Sequence, residues 1–595
     1  MQGTHTYSGT TSVAANGGTA AALQVSGPSD LDIRSSDLTM AGRMDLGNYT
    51  ATIGALNGAG LIYANDIPQP TLTLGANNHA GSYTGVIQDN TVGLGVTLGL
   101  VKTGSGSQTF SGNNTFTGGF VVNGGTVVLG GANGSSPAGR GTLTVNNGAT
   151  VNATADNQLG LETSGYLTAL NLAGGVFNAW NNNHLNSLTF GGGTLGVAAG
   201  TSEISGLDLR AFNTVNPVVT TLASASTATI NSRITLSAPT LVNVAEGSAP
   251  TDLLIGGVIV GASSLTKAGP GLLALAADCT YTGGTFINAG VLQIGAGGTT
   301  GSVGGNIANN ASLVYNRAGA ITQNGVIVGA GSMTKTGSGT VTLAGANTFA
   351  GPVTVSQGTL ALGASGSIAN SASIAVQAGA TLDASAVSGG FTVPGAQTLS
   401  GNGSVTGNVI INGTLSPGAS IGGLTFAGNL TLGGVTFMEI NKAGGALTND
   451  WAASSGSLTY GGLLIVTNTG GSLVAGDTFQ LFSAASFAGA FNTMTLPPLG
   501  PGLRWTTSPL AVNGTLSVVG ATGPQLMPMG VSGTNLLISL QSELGASYVL
   551  ESATSLDAPI PWTPVSTNGG TGAVLTIPAP FDAAQPRSFF RVVVY

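Results

Sequence analysis

Apolar and polar residues alternate in many short runs along this chain. In one stretch, Val341-Thr342-Leu343, Val353-Thr354-Val355 and Leu360-Ala361-Leu362 are separated by segments rich in Gly, Asn and Ser. Period-two alternation over a few residues predicts β-strands, and Gly/Asn clusters predict the turns between them. No window shows apolar spacing of three and four residues with charged flanks, so we predict an all-β chain with almost no helix.

The same pattern recurs in three ungapped copies, Lys102–Gly130, Lys267–Gly295 and Lys335–Gly363. An aromatic residue recurs at Phe116, Tyr281 and Phe349. Glycine recurs in all three copies at 104/269/337, 106/271/339, 118/283/351, 125/290/358 and 130/295/363. Such self-similarity predicts stacked structural units rather than one globular core.

Two architectures fit short strands joined by Gly/Asn corners. Antiparallel hairpins would use the Asn-Gly pairs that begin at 123, 324, 412 and 513 as tight turns. A parallel β-helix would place three short strands in each coil of roughly twenty residues, and would give a rod on the order of 100 Å or more. We favour the β-helix because the short strands continue over most of the chain. The predicted inward positions are Phe120, Val122, Leu292, Ile294, Val353, Val355, Leu360 and Leu362.

Composition narrows the functional classes. With 42% hydrophobic and 6% charged residues the chain is not of the disordered class, and its 99 glycines follow no collagen period. Only 13 Lys and Arg residues are present and the net charge is −8, so we predict no nucleic-acid partner. No apolar run is long enough to span a membrane. The single Cys279 predicts a small apolar core residue rather than a disulfide.

The three copies share the pattern L-T-K-x-G-x-G, then N-T-(F/Y)-x-G, then V-x-x-G-x-L-x-L-G, with individual departures. This pattern resembles the autotransporter-associated β-strand repeat of bacterial secreted and surface proteins. Gly-Val-Ile triplets at 85–87, 257–259 and 325–327 resemble the coil that precedes the repeat in that family. The resemblance implies a right-handed, single-stranded parallel β-helix and an extracellular or outer cell-surface location.

The remaining sequence suggests three domains. Residues 1–395 are predicted as the repeat-bearing β-helix. Residues 396–520 resemble the terminal coils of that family, and this resemblance implies that Trp505 caps the core. Short strands divided by prolines predict a small β-sandwich at 521–595. Family members that use the autotransporter route end in a membrane β-barrel, for which this last segment is too short, so we expect another export route. The first residues, Met1–His5, lack a secretion leader, and we expect a removed leader or an excised part.

Candidate chemistry is sparse. His5, His79 and His184 are far apart, and the last two sit in Asn-rich segments, so we predict surface turn residues. The densest charge cluster contains Asp30, Asp32, Arg34, Asp37, Arg43 and Asp45. Asp30 and Asp32 could share a strand face and bind calcium, or the cluster could simply be a solvated first coil. We predict no catalytic, cofactor-binding or metal-binding residue, no cofactor and no enzymatic activity.

These observations predict a non-enzymatic structural or adhesive β-helical stalk. Its partners would be other copies of the chain, in fibres or a surface coat, or surface glycans. The alternative is a carbohydrate-binding or carbohydrate-active β-helix, acting as lyase or hydrolase. In that case Phe116, Tyr281 and Phe349 would form a sugar-stacking stripe, whereas the structural prediction packs them over a corner of the coil.

Overall fold

The computed structural model describes residues 9–14, 22–25, 30–66, 69–89, 95–161, 165–199, 206–212, 214–500, 502–521, 523–543, 546–582, 584–585 and 587–594. The chain divides into two compact units, Met1–Gly351 and Pro352–Tyr595. Met1–His5, the residues for which a missing leader was predicted, lie outside the described residues. Among the described residues, no helix is long and apolar enough to cross a bilayer.

The first unit is built from parallel ladders that form the faces of stacked coils. The first face comprises Gly9–Val13, Ser36–Met40, Leu56–Gly58, Gly81–Tyr83, Ser107–Phe110, Gly125–Leu129, Ala149–Ala153, Val176–Ala179, Thr194–Val197, Ala228–Ile230, Leu253–Ile255, Leu272–Leu275, Val291–Ile294, Ser312–Tyr315 and Ser332–Lys335. The second face comprises Leu31–Ile33, Ala51–Ile53, Thr71–Leu74, Gly99–Lys102, Phe120–Val122, Thr142–Asn146, Ala169–Ala173, Ser187–Phe190, Val218–Thr221, Thr240–Val244, Leu265–Ala268, Thr285–Ile287, Ile307–Asn309 and Ile327–Val328.

The third side of the first unit is less regular. It contains two short parallel ladders, one of Ala22–Gln24, Arg43–Asp45, Leu61–Tyr63 and Val86–Ile87, the other of Asn182–Leu185, Gly206–Leu209, Arg233–Leu236 and Ile259–Gly261. A parallel pair, Ile321–Gln323 and Thr340–Leu343, and an antiparallel pair, Gly160–Leu161 and Gly165–Tyr166, complete the unit.

The second unit begins with three more parallel ladders. The first contains Val353–Val355, Ser373–Val376, Thr398–Gly401, Thr414–Pro417, Val435–Ala443, Leu463–Asn468 and Thr493–Thr495, with Ala446–Asn449 paired antiparallel to Val435–Ala443. The second contains Thr359–Leu362, Thr381–Asp383, Ser404–Thr406, Gly423–Ala427, Trp451–Ser454 and Phe482–Ser483. The third contains Phe391–Val393, Val409–Ile411, Leu430–Leu432, Ser457–Tyr460 and Ser486–Gly489.

Antiparallel sheets follow these coils. One contains Thr478–Gln480, Thr515–Gly520 and Leu503–Thr506, next to the one short helix of the described residues, Leu510–Asn513. Trp505, the predicted cap, is buried there, and its indole N–H donates to the Pro497 carbonyl at 2.9 Å. The last segment forms two three-stranded sheets, Gly530–Ser532 with Asn535–Gln541 and Val574–Pro580, and Thr563–Gly569 with Ser547–Ala553 and Phe589–Val594.

The coils confirm the β-helix prediction. Leu265 is the register neighbour of Thr285, and Thr285 of Ile307, so successive coils are 20 (285 − 265) and 22 (307 − 285) residues long. All eight predicted inward side chains are at most 2% exposed. The hairpin alternative is wrong at Asn123, because the flanking strands Phe120–Val122 and Gly125–Leu129 each pair in parallel with neighbouring coils. The predicted domain boundaries at residues 395 and 520 stay a prediction.

The lysine that opens each repeat is completely buried, at 0% exposure for Lys102, Lys267 and Lys335. The ammonium of Lys267 donates to the carbonyls of Ala268, Gly269 and Ala289 at 2.9, 2.8 and 3.0 Å. Lys102 makes the equivalent three bonds, and Lys335 donates to the Gly337 carbonyl. In the first two copies one of these carbonyls belongs to the following coil, so the cation joins two coils where the ladders end.

A second buried polar position bridges coils through an amide. The side-chain carbonyls of Asn114 and Asn347 accept from the backbone N–H of Ile87 and Ile327, both at 2.8 Å. Cys279 occupies this position in the second copy and is 4% exposed, as predicted for a core residue. Burial raises the pKa of the Cys279 thiol to about 11, against the opposing effect of the Ile259 N–H that lies at its sulfur.

One recurrent glycine marks a close approach between coils. A Cβ at Gly283 would lie 2.3 Å from the Ser263 carbonyl carbon and 2.4 Å from the Ser264 nitrogen. The equivalent Gly118 and Gly351 would collide with neighbouring backbone in the same way. Backbone atoms of a stacked coil cannot move aside individually, so any side chain here separates the coils.

Gly283→Ala should therefore lower the free energy of unfolding by about 2–4 kcal/mol, because the added methyl forces two backbones apart. Gly298→Ala is the matched control, since a Cβ there has no heavy atom within 4 Å. Denaturant titrations of both variants measure the difference. Equal unfolding free energies for the two would contradict this account of the repeat glycine.

Lys267 should make stability depend on pH in the alkaline range. Burial lowers the pKa of Lys267 from 10.5 to about 8, with Asp252 opposing the shift. Above pH 8 the unfolded chain therefore binds more protons at this residue than the folded chain, and the free energy of unfolding rises with pH. Burial raises the pKa of Tyr281 and Tyr315, which has the opposite effect above about pH 10.

The measurement is the free energy of unfolding at about pH 7.5 and 9.5, below the range in which tyrosines titrate. We expect the rise between these values to be larger in the parent chain than in Lys267→Met, which has no titrating group there. The same slope in both proteins would show that Lys267 keeps its ordinary pKa in the fold.

Cys279→Asn should raise the free energy of unfolding by about 1 kcal/mol, since an amide oxygen accepts from Ile259 N–H better than a thiol sulfur does. The amide N–H₂ can use the Ala277 carbonyl, to which the thiol now donates at 3.5 Å. Cys279→Ala is the control and should lower stability, because it leaves the N–H without an acceptor. A less stable Asn variant in thermal unfolding would refute the equivalence of the three copies.

Candidate functional site

The predicted acidic pair does not converge on a common point. Asp30 accepts from the backbone N–H of Thr50, in the next coil, at 2.9 Å. Asp32 instead pairs with Arg34, with a guanidinium nitrogen 2.5 Å from its carboxylate. This contact lowers the pKa of Asp32. Each carboxylate thus has its own structural partner.

The other acids of the cluster also connect coils. Asp37 accepts from Ala55 N–H at 2.9 Å and from the Asn77 amide at 2.6 Å, and His79 Nδ1 lies 3.1 Å from it. Burial acts to raise the pKa of Asp37, but these bonds outweigh it and the pKa is lowered. His79 is exposed, as predicted. Asp45 accepts from the Asn65 amide at 3.1 Å.

Within the described part of the chain, no group of three His, Cys, Asp or Glu side chains is placed to hold a metal ion. The calcium hypothesis for Asp30 and Asp32 therefore gains no support from their geometry.

The repeat aromatics lie inside the coils. Phe116 and Tyr281 are 0% exposed and Phe349 is 1% exposed. The hydroxyl of Tyr281 lies 2.6 Å from the Thr285 hydroxyl. These rings cannot stack on a sugar at the surface, so the hypothesis that they form a sugar-stacking stripe is wrong.

His184 is likewise not a surface turn residue. It lies on the strand Asn182–Leu185, is 7% exposed and is the register neighbour of Asp208. The run of three asparagines before it is typical of a turn by composition. Pairing with the next coil nevertheless holds the segment extended, which is why the prediction failed.

Asp208 is the buried centre of a polar cluster. Its carboxylate accepts from Ser237 Oγ and Arg210 Nε, both at 2.5 Å, and His184 Nδ1 lies at 3.3 Å. Burial acts to raise the pKa of Asp208, but its bonds to His184, Ser237 and Arg210 outweigh burial, and the pKa is lowered. Sequence reasoning missed this cluster because its members come from three coils whose register only the fold sets.

A cavity of about 310 Å³ adjoins the cluster. Its lining residues are Leu167, Thr168, His184, Leu185, Asn186, Arg210, Ala211, Phe212 and Val215. Five of these nine lining residues are apolar, and Arg210 is the only Lys or Arg among them. Pockets of this size and composition are typical of small-ligand sites, at the lower end of their range.

A larger cavity, of about 620 Å³, lies in the second unit. It is lined by residues of the Phe491–Leu499 segment together with Leu503, Trp505, Thr507 and Ser547. The lining contains no titratable side chain. This cavity therefore offers packing surface but no acid, base or nucleophile with a perturbed pKa.

Comparison with known proteins agrees with the repeat pattern. The Passenger-associated-transport-repeat family matches residues 100–129, 265–294 and 333–362, the three copies found by self-similarity. A relative, the adhesin BmaC autotransporter of Brucella suis biovar 1 (strain 1330), is 60% identical over 45 residues. That alignment covers 8% of this chain and 1% of the relative, so the chain spans a very small part of that protein.

These matches support an extracellular or cell-surface location. Together with the parallel coils they confirm the resemblance drawn from the repeat. The chain carries three copies of the passenger-associated-transport-repeat.

Proposed function

We propose that this chain is a non-enzymatic structural and adhesive element of the bacterial surface. The observation that carries the proposal is the contrast between the inward and the outward side chains of each coil. Apolar residues fill the interior, and the outward positions are largely Thr, Ser, Asn and small residues. Such faces present hydrogen-bonding groups along many coils with very little charge.

The outward asparagines support a structural role because they pair from coil to coil. The Asn178 amide donates to Asn152 at 2.8 Å, and the Asn146 amide to Asn123 at 2.6 Å. Amide ladders of this type stabilise stacked parallel strands. These hydrogen bonds hold neighbouring coils together at the surface as well as in the core, as a scaffold requires.

The adhesive part of the proposal rests on similarity. The relative with the matching 45-residue segment is named an adhesin. Assembly with other copies of the chain, or binding of surface glycans, remains a narrower version of the same proposal. No exposed aromatic row of the repeats supports the glycan version.

An adhesion assay tests the proposal. Beads carrying the full chain should adhere to epithelial cells, immobilised matrix or bare polystyrene several-fold more than beads carrying the same chain after heat denaturation. Adhesion equal to that of the denatured control on every surface would contradict an adhesive role.

The enzymatic alternative is tested on the same preparation. The chain should release no reducing ends from pectin-like or host polysaccharides. Degradation that is lost in Asp30→Ala/Asp32→Ala, but kept in the control Asp557→Ala, would replace the structural proposal with a catalytic one.

A further inference from the structure

The cavity beside Asp208 contains a guanidinium held in a defined orientation. Arg210 Nε donates to the Asp208 carboxylate at 2.5 Å, and Asp208 is itself fixed by Ser237. Among the described residues, nothing accepts a hydrogen bond from the two terminal amino groups of Arg210. Its side chain is 43% exposed and lines the cavity. A guanidinium held through Nε presents its two terminal amino groups as a planar fork, the geometry that binds a carboxylate with two hydrogen bonds.

The adjoining wall is a turn that Asn186 holds in place. Its amide donates to the carbonyls of Arg210 and Val215 at 3.0 and 2.8 Å. Phe212 and Val215 bond to each other through both backbone groups, at 3.0 and 2.9 Å. A wall fixed by hydrogen bonds loses little conformational entropy when a ligand binds.

This turn also carries backbone strain. Thr214 has a φ of 68°, in the left-handed region that β-branched residues rarely adopt. Strain of this kind persists where surrounding contacts enforce it, and it concentrates at binding sites. Here it accompanies two exposed apolar side chains, Phe212 at 39% and Val215 at 59%.

The rest of the lining is apolar and partly aromatic. Leu167 and Leu185 form the buried floor, and Phe212 forms the rim. Arg210 is the only Lys or Arg among the lining residues. A ligand that fits must therefore have one anionic end and an apolar body, and a volume of about 310 Å³ limits it to a small molecule or a single residue.

We propose that this cavity binds a small monocarboxylate with an apolar body, with the carboxylate on the terminal amino groups of Arg210 and the body between Leu185 and Phe212. An aromatic or branched aliphatic acid has this chemistry. So does the C-terminal residue of a peptide. The site is independent of the adhesive role of the repeats.

Ligand-observed NMR titrations of the full chain test the site. The probes are phenylacetate and acetyl-Gly-Phe, each beside its neutral amide. We expect saturable binding of at least one acid, and binding of its amide weaker by about tenfold. Tighter binding of acetyl-Gly-Phe than of phenylacetate would identify a peptide C-terminus as the source, and the reverse would identify a free acid.

Variants distinguish the contribution of the Arg210 guanidinium to binding from an effect on folding. Arg210→Gln should weaken the acid by about tenfold, and Arg210→Lys should weaken it less, because the charge remains but the planar fork is lost. Phe212→Ala changes an exposed side chain without touching Asp208, and should also weaken binding. Arg34→Gln is the matched control, an exposed arginine paired with Asp32, and should leave binding unchanged.

The proposal is overturned if the amide binds as well as the acid, or if Arg210→Gln and Phe212→Ala both bind like the parent chain. It is also overturned if neither acid shows saturable binding up to about 10 mM, beyond the range of specific recognition. Thermal unfolding of each variant accompanies the titrations, so that a folding defect in Arg210→Gln leaves Phe212→Ala as the deciding variant.

Discussion

The structure depends on backbone hydrogen bonding between successive coils. Each strand uses its N–H and C=O groups on the coils before and after it, and this requires every coil to return to the same register. Strands pair their backbone groups with the neighbouring coils by themselves. Corners do not, because the chain turns there and the ladders stop. The buried polar side chains of the repeat lie at those corners.

Lys267 and Asn114 show how the corners are completed. The lysine gives three N–H donors to carbonyls at and just beyond the ends of ladder strands, and the asparagine gives an acceptor to an N–H of the preceding coil. A buried ammonium without such partners would strongly destabilise the fold. The few charged side chains of this chain therefore stabilise the fold. Lys267 and Lys102 donate hydrogen bonds to carbonyls of two coils, and Asp30 and Asp37 accept hydrogen bonds from backbone N–H groups of the next coil.

Function in such a fold is expected where regularity is interrupted. Over most coils the outward residues are small and polar, and their strands pair with the neighbouring coils. The turn at Phe212 and Val215 departs from this pattern, with Thr214 in a left-handed conformation and a fixed guanidinium beside an apolar cavity. The repeats provide the scaffold, and this irregular side of the first unit provides a place for specific recognition.

The sequence by itself determined the repeat, the β-helix and the inward positions. Alternation and glycine spacing are local properties, so they can be recognised without knowing which residues pair between successive coils. Only the tertiary structure decided how copies are placed: Lys102 and Lys267 lie on the second face of their coils, whereas Lys335 lies on the first. It also decided that His184 is buried, that Phe116 points inward and that Asp208 meets Arg210 and Ser237. These outcomes depend on the lengths of intervening corners, which add up along the chain and set which residues become neighbours between coils.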